Sequence, residues 1–358
     1  MKMTLDMISP GLCGGAQPKT RAEIRVPSIR GQLRWWFRLL GGFASQRNKG
    51  LGLRKQEDMI FGAARKDLCA ASQLQLRVRM INDPGATPKD VSGFDREYGY
   101  FLYPLRSSES QDGKRAVFDA NKTRFELQLN WRGDGELTAD VEALAHLFGY
   151  LGSLGMRARR AMGALAFAQA QDQTIPPFAD VINHFSEPDS ICIREIAMQD
   201  RDDPIAVLAA WLRDWRAYLN ASMNPNTGAS GYSYAKNDHD VGLHPEQQPQ
   251  TTYRPALGLP IIQRYRSTKK TVNWEPVTDN GMERFASPVI LRPYRSPYNG
   301  RKKALVLFVE KYSWPSKAGV KLVCNKDEGK DHMVSSDLYN EMKKDSRLCP
   351  VAELSGTR

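Results

Sequence analysis

The sequence predicts an α+β fold, because strand and helix patterns follow one another in the order strand, helix, strand, strand, helix, strand. Residues 73–80 and 124–131 alternate apolar and polar side chains, as strands with one buried face do. Residues 28–40, and the stretch that begins at Thr138, place apolar residues at helical spacing. This order is the split βαβ arrangement. We therefore predict a first domain at about residues 1–170.

The first strand and the first helix lie within residues 3–42. Residues 3–8 form a short apolar strand candidate, followed by a turn rich in glycine and proline. Pro27 disfavours helical backbone at Val26, and Ser28 is suited to cap a helix. The helix itself is predicted by apolar residues at steps of three and four, namely Ile29, Leu33, Trp36, Phe37 and Leu40.

The remaining elements of this domain surround a polar insertion. Residues 81–123 are rich in Asp, Gly, Pro and Ser, which is typical of an elaborated hairpin or flap and not of a core. The helix from Thr138 is followed by a basic stretch with glycines at 152–163 and by a strand of small residues at 164–169.

The second half, residues 171–358, is less regular. Asp203-Pro204 opens a helix, and strands are predicted near 191–197, 288–292 and 304–312. Two polar stretches, 221–252 and 264–281, are interpreted as long loops. We predict a second, divergent domain of the same type whose connections have been lengthened.

Composition places the 358-residue chain among globular proteins, with 41% hydrophobic and 25% charged residues. No run of about 18 apolar residues predicts a membrane span, and the first residues lack the apolar segment of a secretory signal. We therefore expect a cytoplasmic protein without membrane contact.

Cysteines and histidines do not form a recognisable metal or disulfide pattern. The five cysteines are far apart and contain no CxxC pair. His239 and His244 lie in a predicted polar loop, where binding a shared metal ion is the alternative, but solvated loop histidines are far commoner. We predict neither a metal site nor a cofactor.

Positive charge is concentrated in the first half of the chain. The net charge is +11, and residues 1–170 hold 26 lysines and arginines against 17 acidic residues. A basic half beside a nearly neutral half is typical of a domain that binds a polyanion. The alternative is that the excess charge serves solubility alone.

A row of arginines follows the predicted first helix opposite its apolar stripe. Arg30, Arg34 and Arg38 recur every four residues, so their guanidinium groups share one face. Arg25 precedes them, and Trp35 beside them is suited to stack on a base. The alternative is a solvated basic face. Because the row holds no Asp or Glu that would form ion pairs within the helix, we favour a nucleic-acid interface.

The stretch 152–163 is a second basic feature. Glycines let a backbone approach a polyanion closely, and arginines donate paired hydrogen bonds to phosphate oxygens. The stretch follows a helix and lacks GKS/T, so it is neither a Walker A loop nor a dinucleotide fingerprint. Its candidate residues are Gly152, Gly155, Arg157, Arg159, Arg160 and Gly163.

Several segments together resemble the Cmr group of the RAMP superfamily, most closely the family of first RAMP subunits of type III-B CRISPR effector complexes. These segments are GGA at 14–16, RVPSIRGQLRWWFR at 25–38, FGYLGSLGMRARRAMGAL at 148–165, RPALGLPI at 254–261 and RFASPVILRPY at 284–294. The run PSIRGQLRWWFR is specific to that subunit family, whereas the glycine-rich loop is shared across RAMP proteins.

The resemblance implies two ferredoxin-like (RRM-like) domains with long inserted loops, and a subunit that binds CRISPR RNA and target RNA beside other RAMP subunits. Carried over by position, the RNA-binding candidates are Arg25, Ser28, Arg30, Arg34, Trp35, Arg38, Gly155, Arg157, Arg159, Arg160 and Gly163. The chain has Ala158 and Ala161 where the family often has Ser and Gly. Both departures weaken the expectation of backbone contacts to phosphate in this loop.

Related RAMP families include ribonucleases, so an endoribonuclease is the alternative function. Cleavage of RNA needs one group that activates the 2′-OH and another that protonates the leaving oxygen. His146 and Asp6 are the nearest candidates, and Asp95 and Asp119 in the predicted flap are weaker ones. Neither His146 nor Asp6 is placed in a recognisable acid–base pair, and we expect a surface or capping role for His146. We therefore predict a non-catalytic subunit, with a protein–protein scaffold as a further alternative.

Overall fold

The computed structural model describes most of the chain, in two compact units. The described residues are 1–82, 87–90, 96–102, 114–133, 135–169, 173–216, 231–244, 250–259, 261–265, 268, 271–277, 284–310, 319–324 and 327–354. The first unit comprises Met1–Leu208, Leu291–Glu310 and Cys349–Arg358, and the second comprises Ala209–Ile290 and Lys311–Leu348.

Helices and strands are numbered separately in chain order. Helices α1 to α9 are Val26–Leu39, Ala44–Asn48, Leu53–Phe61, Arg96–Leu102, Thr138–Leu151, Phe178–Ile182, Pro204–Arg216, Gly231–Leu243 and Asp337–Lys343. Strands β1 to β17 are Lys2–Met7, Ala63–Arg65, Leu68–Ala70, Leu74–Asn82, Thr87–Asp90, Lys114–Val117, Arg124–Trp131, Leu165–Phe167, Ile191–Ile196, Thr251–Thr252, Ile261–Arg264, Thr271–Val277, Val289–Arg295, Lys302–Val309, Gly319–Cys324, Asp327–Val334 and Leu348–Pro350.

A four-stranded sheet in the order β4-β7-β1-β8 forms the first half of the first unit. Its strand pairs are antiparallel, with Leu5 opposite both Phe125 and Phe167. Helices α1 and α5 contact each other; α1 also contacts β4, and α5 contacts β7 and β8. The alternating apolar residues of the predicted strands point into this core, and Leu5, Phe125 and Leu127 are fully buried there.

A second four-stranded sheet in the order β13-β14-β9-β17 also belongs mainly to the first unit. Strand β14 pairs antiparallel with β9, which places Leu305 opposite Glu195. Taken by their order in the chain, the four strands of each sheet are arranged as second, third, first, fourth. The predicted mixture of helices and antiparallel sheets is therefore confirmed.

The second unit contains a five-stranded sheet in the order β10-β16-β15-β12-β11. Its described core joins α8 to the sheet and consists of Val241, Leu259, Tyr265, Val272 and Trp274. The observed units therefore divide the chain differently from the predicted boundary near residue 170. Strands β9 and β14 pair within the first unit. The chain between β9 and β13, and again between β14 and β17, forms the five-stranded sheet of the second unit.

Two stretches predicted as loops contain regular structure. Helix α8 lies within 221–252, and strand β12 lies within 264–281, so those parts of the loop predictions are wrong. The polar composition concealed both elements because each buries only a few side chains. In β12 the alternating Val272 and Trp274 enter the core while the residues between them do not.

The predicted flap also contributes to a core. Strands β5 and β6 pair antiparallel, and Phe101, Leu102 and Phe118 are each no more than 1% exposed. The prediction that residues 81–123 lie outside the core is therefore wrong for these three side chains.

Helix α1 begins earlier than expected. Arg25, and not Ser28, occupies the N-cap position, and Val26 and Pro27 lie in the first turn. Proline is tolerated there because the first amide groups of a helix lack partners within the helix in any case. Ser28 is an exposed first-turn residue.

No helix within the described ranges is long and apolar enough to cross a membrane.

Candidate functional site

The arginine row of α1 is occupied by intramolecular contacts along most of its length. Arg30 Nη2 donates to the Leu74 carbonyl oxygen at 3.2 Å. Arg34 Nε lies 2.8 Å from Glu57 Oε1, and Arg38 Nε lies 2.7 Å from Glu57 Oε2. The row holds no acidic residue, as the sequence shows, but the inference that its arginines therefore lack acidic partners is wrong, because α3 supplies one.

Glu57 is a buried carboxylate shared by two arginines. It is 7% exposed, whereas the side chain of Arg38 is 57% exposed. Burial raises the pKa of Glu57, but hydrogen bonds from Arg38 and Arg34 outweigh it and bring the pKa below its usual value. Spacing within α1 gave no sign of this partner, because it is 19 residues from Arg38 in the chain.

The adjacent tryptophans of α1 have different environments. Trp36 is 2% exposed, and Trp35 is only partly buried. The predicted helix phase is therefore confirmed, since neighbours on a helix point about 100° apart. The guanidinium of Arg159 lies 4.8 Å from the centre of a Trp35 ring. This cation–π contact joins α1 to the basic stretch 152–163.

The glycines of the basic stretch allow close packing against the turn that follows β1. Gly155 has φ +87°, and a Cβ there would lie 2.6 Å from the Leu12 carbonyl oxygen. Gly163 has φ +63° and donates its N–H to the Pro10 carbonyl oxygen at 2.9 Å. Both residues therefore need glycine for the chain to close on itself, independently of any ligand.

Two residues without glycine's freedom also adopt the left-handed conformation in this stretch. Arg157 has φ +62° and Ala161 has φ +65°. Ala161 is the position where the resembling family often has glycine, so the backbone demand for glycine is present although the residue is absent. The Ala161 N–H donates to the Leu291 carbonyl oxygen at 2.9 Å, which holds the strained residue in place.

The arginines of the stretch are all partly buried but differ in their contacts. Burial lowers the pKa of the Arg159 guanidinium. The Arg159 carbonyl oxygen accepts the Leu291 N–H at 3.2 Å. Arg157 and Arg160 are partly buried, and the Arg160 N–H donates to the Arg157 carbonyl oxygen at 2.7 Å.

Arg292 organises both ends of the basic stretch and was not singled out from the sequence. It is 1% exposed, and its guanidinium donates to the carbonyl oxygens of Tyr150, Gly152 and Leu165 and to the Ser153 hydroxyl. Burial lowers the pKa of Arg292 to about 9. Its position inside the motif RFASPVILRPY was the available signal.

A pocket of about 450 Å³ opens between the start of α1, the turn after β1 and the start of the basic stretch. Arg25 and Ser28 line it, together with Gly31, Gln32 and Gly155. Among the described residues, the side chains of Arg25, Ser28 and Gln32 form no hydrogen bond or ion pair. The predicted RNA-binding residues at the two ends of α1 therefore differ, because Arg25 and Ser28 line this pocket whereas Arg34 and Arg38 contact Glu57.

The acid–base candidates occupy structural positions. Burial raises the pKa of Asp6, but Arg124 and Arg295 lie 2.6 Å from its two carboxylate oxygens and bring that pKa below its usual value. Burial lowers the pKa of His146 to about 4, and its ring packs against Phe167, which differs from the expected surface or capping role.

The other expected candidates add nothing to the site. Asp119 forms an ion pair with Lys122 at 3.6 Å, and Asp95 lies outside the described residues. His239 belongs to α8, and its ring contacts Tyr265 instead of lying in a loop. Within the described part of the chain, no three His, Cys, Asp or Glu side chains are grouped as metal ligands would be.

Comparison with known proteins gives a family match for the first half of the chain and a curated relative. Residues 4–166 match the family model of the RAMP superfamily. The CRISPR system Cmr subunit Cmr1-1 of Pyrococcus furiosus is 28% identical over 161 residues, which is 43% of this chain and 43% of that relative. The sequence match thus spans less than half the length of the curated relative.

The fold comparison extends over nearly the whole chain. The crystal structure of Cmr1 from Pyrococcus furiosus in its apo form aligns with a TM-score of 0.50 and 16% identity, covering 96% of this chain and 95% of that chain. At this identity the alignment shows a common fold. The sequence matches show that residues 4–166 are similar to the RAMP superfamily and that part of the chain is similar to Cmr1-1.

Proposed function

We propose that this chain is a non-catalytic RNA-binding subunit of a type III-B CRISPR effector complex. It contacts CRISPR RNA or target RNA and binds other RAMP subunits. The observation that carries this proposal is the contact between Arg159 and Trp35, because it unites the α1 face and the basic stretch in one surface. Arginine and a partly exposed aromatic ring side by side are the groups that bind single-stranded RNA.

The two four-stranded sheets support a fold of two ferredoxin-like domains. Both sheets arrange their strands as second, third, first, fourth, which is the order of a split βαβ unit. In this proposal the second domain carries the five-stranded unit as an insertion between its strands.

Among the described residues, the contacts of the two acid–base candidates nearest to the site support a binding role. Asp6 is held by two arginines, and His146 is packed against an aromatic ring. A general acid or base needs hydrogen-bond access to the substrate atom from which it takes a proton or to which it gives one. Asp6 is 6% exposed and is held by both arginines, so it lacks this access, and His146 is partly buried.

A salt titration with purified protein and a labelled 30-nucleotide single-stranded RNA tests the proposal. We expect the logarithm of the RNA-binding constant to fall linearly with the logarithm of the salt concentration. Each phosphate contacted should contribute about 0.7 to the steepness of this slope. The same samples, with and without magnesium, should show no cleavage. Failure to bind RNA would contradict the binding role, and cleavage lost in His146→Ala would contradict the non-catalytic one.

Purification from cells tests the assembly. A tagged chain should bring down CRISPR RNA and other RAMP subunits, and a tag on an unrelated protein serves as the control. Recovery of RAMP subunits without RNA, even after crosslinking, would favour the scaffold alternative.

A further inference from the structure

Strands β2 and β3 form a two-stranded ribbon of their own in the first unit. The ribbon follows α3 directly, and a turn of two residues, Lys66 and Asp67, joins its strands. Two strands by themselves are marginally stable in water. A ribbon of this kind therefore needs support from the rest of the protein or from a further strand.

The base of the ribbon is supported by α3. The two terminal nitrogens of the Arg65 guanidinium each lie 2.6 Å from an oxygen of the Asp58 carboxylate. Gly62, with φ +78°, lies so close to the end of β3 that a Cβ there would be 2.7 Å from the Ala70 carbonyl oxygen. The ribbon is therefore held in shape by its own unit, which lowers the entropy that a binding partner must overcome.

The register of the ribbon shows which backbone groups lie at its edges. Arg65 pairs with Leu68 across the two-residue turn, and the residues that flank such a turn exchange hydrogen bonds with each other. Because pair types alternate along an antiparallel ladder, the next pair, Ala64 and Cys69, is not hydrogen-bonded. The N–H and the carbonyl group of Cys69 therefore point away from β2, to the outer side of β3.

This outer edge of β3 is open in the described part of the chain. There, the backbone of residues 63–71 forms hydrogen bonds only within the ribbon. Leu68 is 37% exposed, and Cys69 and Ala71 are exposed as well. Proteins usually protect an edge strand with proline, with charged side chains or with a covering segment. Strand β3 contains neither a proline nor a charged residue, so its edge is a template for another strand.

The charges of the ribbon favour an uncharged polypeptide over RNA as the occupant of this edge. The one arginine of the two strands, Arg65, is engaged by Asp58, and at the turn Lys66 is offset by Asp67. A polyanion would meet no excess of positive charge here. An uncharged extended segment would meet the small side chains of Cys69 and its neighbours, which permit the close spacing of paired strands.

We propose that the outer edge of β3 binds an extended, uncharged segment of another RAMP subunit, which adds a third strand to the ribbon. The added strand forms backbone hydrogen bonds with the N–H and the carbonyl group of Cys69. This inference rests on the proposed role as a subunit of an effector complex. It assigns one protein contact of that complex to residues other than the RNA-binding candidates.

Two substitutions of the same residue separate the backbone contact from the side chain. Cys69→Pro removes the outward N–H, and proline is tolerated at edge positions whose N–H takes no part in the ladder. Cys69→Ser keeps this N–H and is the matched control. The parent and both variants are tagged, expressed with other RAMP subunits and CRISPR RNA, and purified. Mass spectrometry quantifies the RAMP subunits recovered, and thermal melts compare the folding of the isolated chains.

A second measurement needs no substitution, because Cys69 is an exposed free cysteine. N-ethylmaleimide alkylates Cys69 in the isolated parent and in the purified complex, and peptide mass spectrometry gives the two rates. This comparison tests the edge even if Cys69→Pro unfolds.

We expect Cys69→Pro to recover about fivefold less of the RAMP subunits than the parent, the effect of one lost hydrogen bond, and Cys69→Ser to recover as much as the parent. Alkylation of Cys69 should be slower in the complex than in the isolated chain by a similar factor. Full recovery by a folded Cys69→Pro, or equal alkylation rates, would overturn the docking edge and leave the subunit role intact.

The remaining outcomes distinguish this inference from the proposed function. If the parent recovers no RAMP subunits, the proposed assembly is overturned and the docking edge with it. If the isolated parent sediments as a dimer and Cys69→Pro as a monomer, the assigned partner is overturned, because a second copy of the chain then occupies the edge.

Discussion

Both ends of helix α1 carry arginines, but those at the C-terminal end form ion pairs and, among the described residues, the one at the N-terminal end does not. At the C-terminal end, Arg34 and Arg38 share the carboxylate of Glu57, so two positive charges are offset by one negative charge. At the N-terminal end, Arg25 lines an open pocket, and its side chain has no partner in the described part of the chain. Regular spacing of arginines therefore locates a basic face but does not tell which of its charges are available to RNA.

The consequence is a revised view of the arginine row. An RNA phosphate that binds Arg38 competes with a carboxylate already held at short distance, whereas a phosphate that binds Arg25 competes only with water. We therefore expect the N-terminal end to contribute more to RNA affinity than the C-terminal end.

The largest expected effect tests the helix phase on which this comparison depends. Trp36→Ala should lower the free energy of unfolding by about 3–5 kcal/mol, because it removes a fully buried ring from the core. Trp35→Ala should cost little stability and weaken RNA binding by about 1–3 kcal/mol if a base stacks on that ring. Thermal melts and RNA titrations measure both. A Trp35→Ala protein that melts far below a Trp36→Ala protein would contradict the assigned phase.

The next prediction compares the two ends directly. Arg25→Ala should reduce the salt slope of RNA binding by about 0.7, the value for one lost phosphate contact on a single strand. Arg38→Ala, the matched arginine at the other end, should change the slope by much less because the Arg38 guanidinium is already bound to the Glu57 carboxylate. The measurement is RNA binding at several salt concentrations. Equal losses of slope in both variants would show that Glu57 does not restrain Arg38.

The smallest expected effect comes from Glu57→Gln, which should leave the arginines at both ends of α1 without an ion-pair partner. Removing the shared carboxylate should release Arg34 and Arg38, so RNA affinity rises a few-fold and the salt slope steepens. Asp58→Asn is the control. It removes an acidic charge from the same helix, but Asp58 forms its ion pair with Arg65 and not with the arginines of α1. Unchanged RNA affinity in Glu57→Gln would mean that these arginines do not face RNA.

The lowered pKa of Glu57 predicts that the free energy of unfolding depends on pH, and Glu57→Gln tests this. Because the folded-state pKa of Glu57 lies below its usual value, the stability that its ion pairs contribute is fully present above the usual pKa of about 4.3. It is lost as the pH falls through the lower folded-state pKa. The parent should therefore lose more stability than Glu57→Gln on acidification from pH 7 to pH 3, as measured by urea unfolding.

Prediction from the sequence succeeded where burial produces a strict period. The strands at 73–80 and 124–131 and the helices from Ile29 and Thr138 were located because one face of each enters the core. It failed for α8 and β12, whose polar composition hides the few residues that pack.

For the candidate site, the sequence by itself determined the groups that are present: the arginines of α1, the tryptophan beside them and the glycines and arginines of the stretch 152–163. Only the tertiary structure decided which of these groups meet and which are already occupied. Glu57 and Arg292 reach the site from distant parts of the chain. Local spacing specifies the face of a helix, but ion pairing depends on which carboxylates and carbonyl groups the fold brings within about 3 Å of that face.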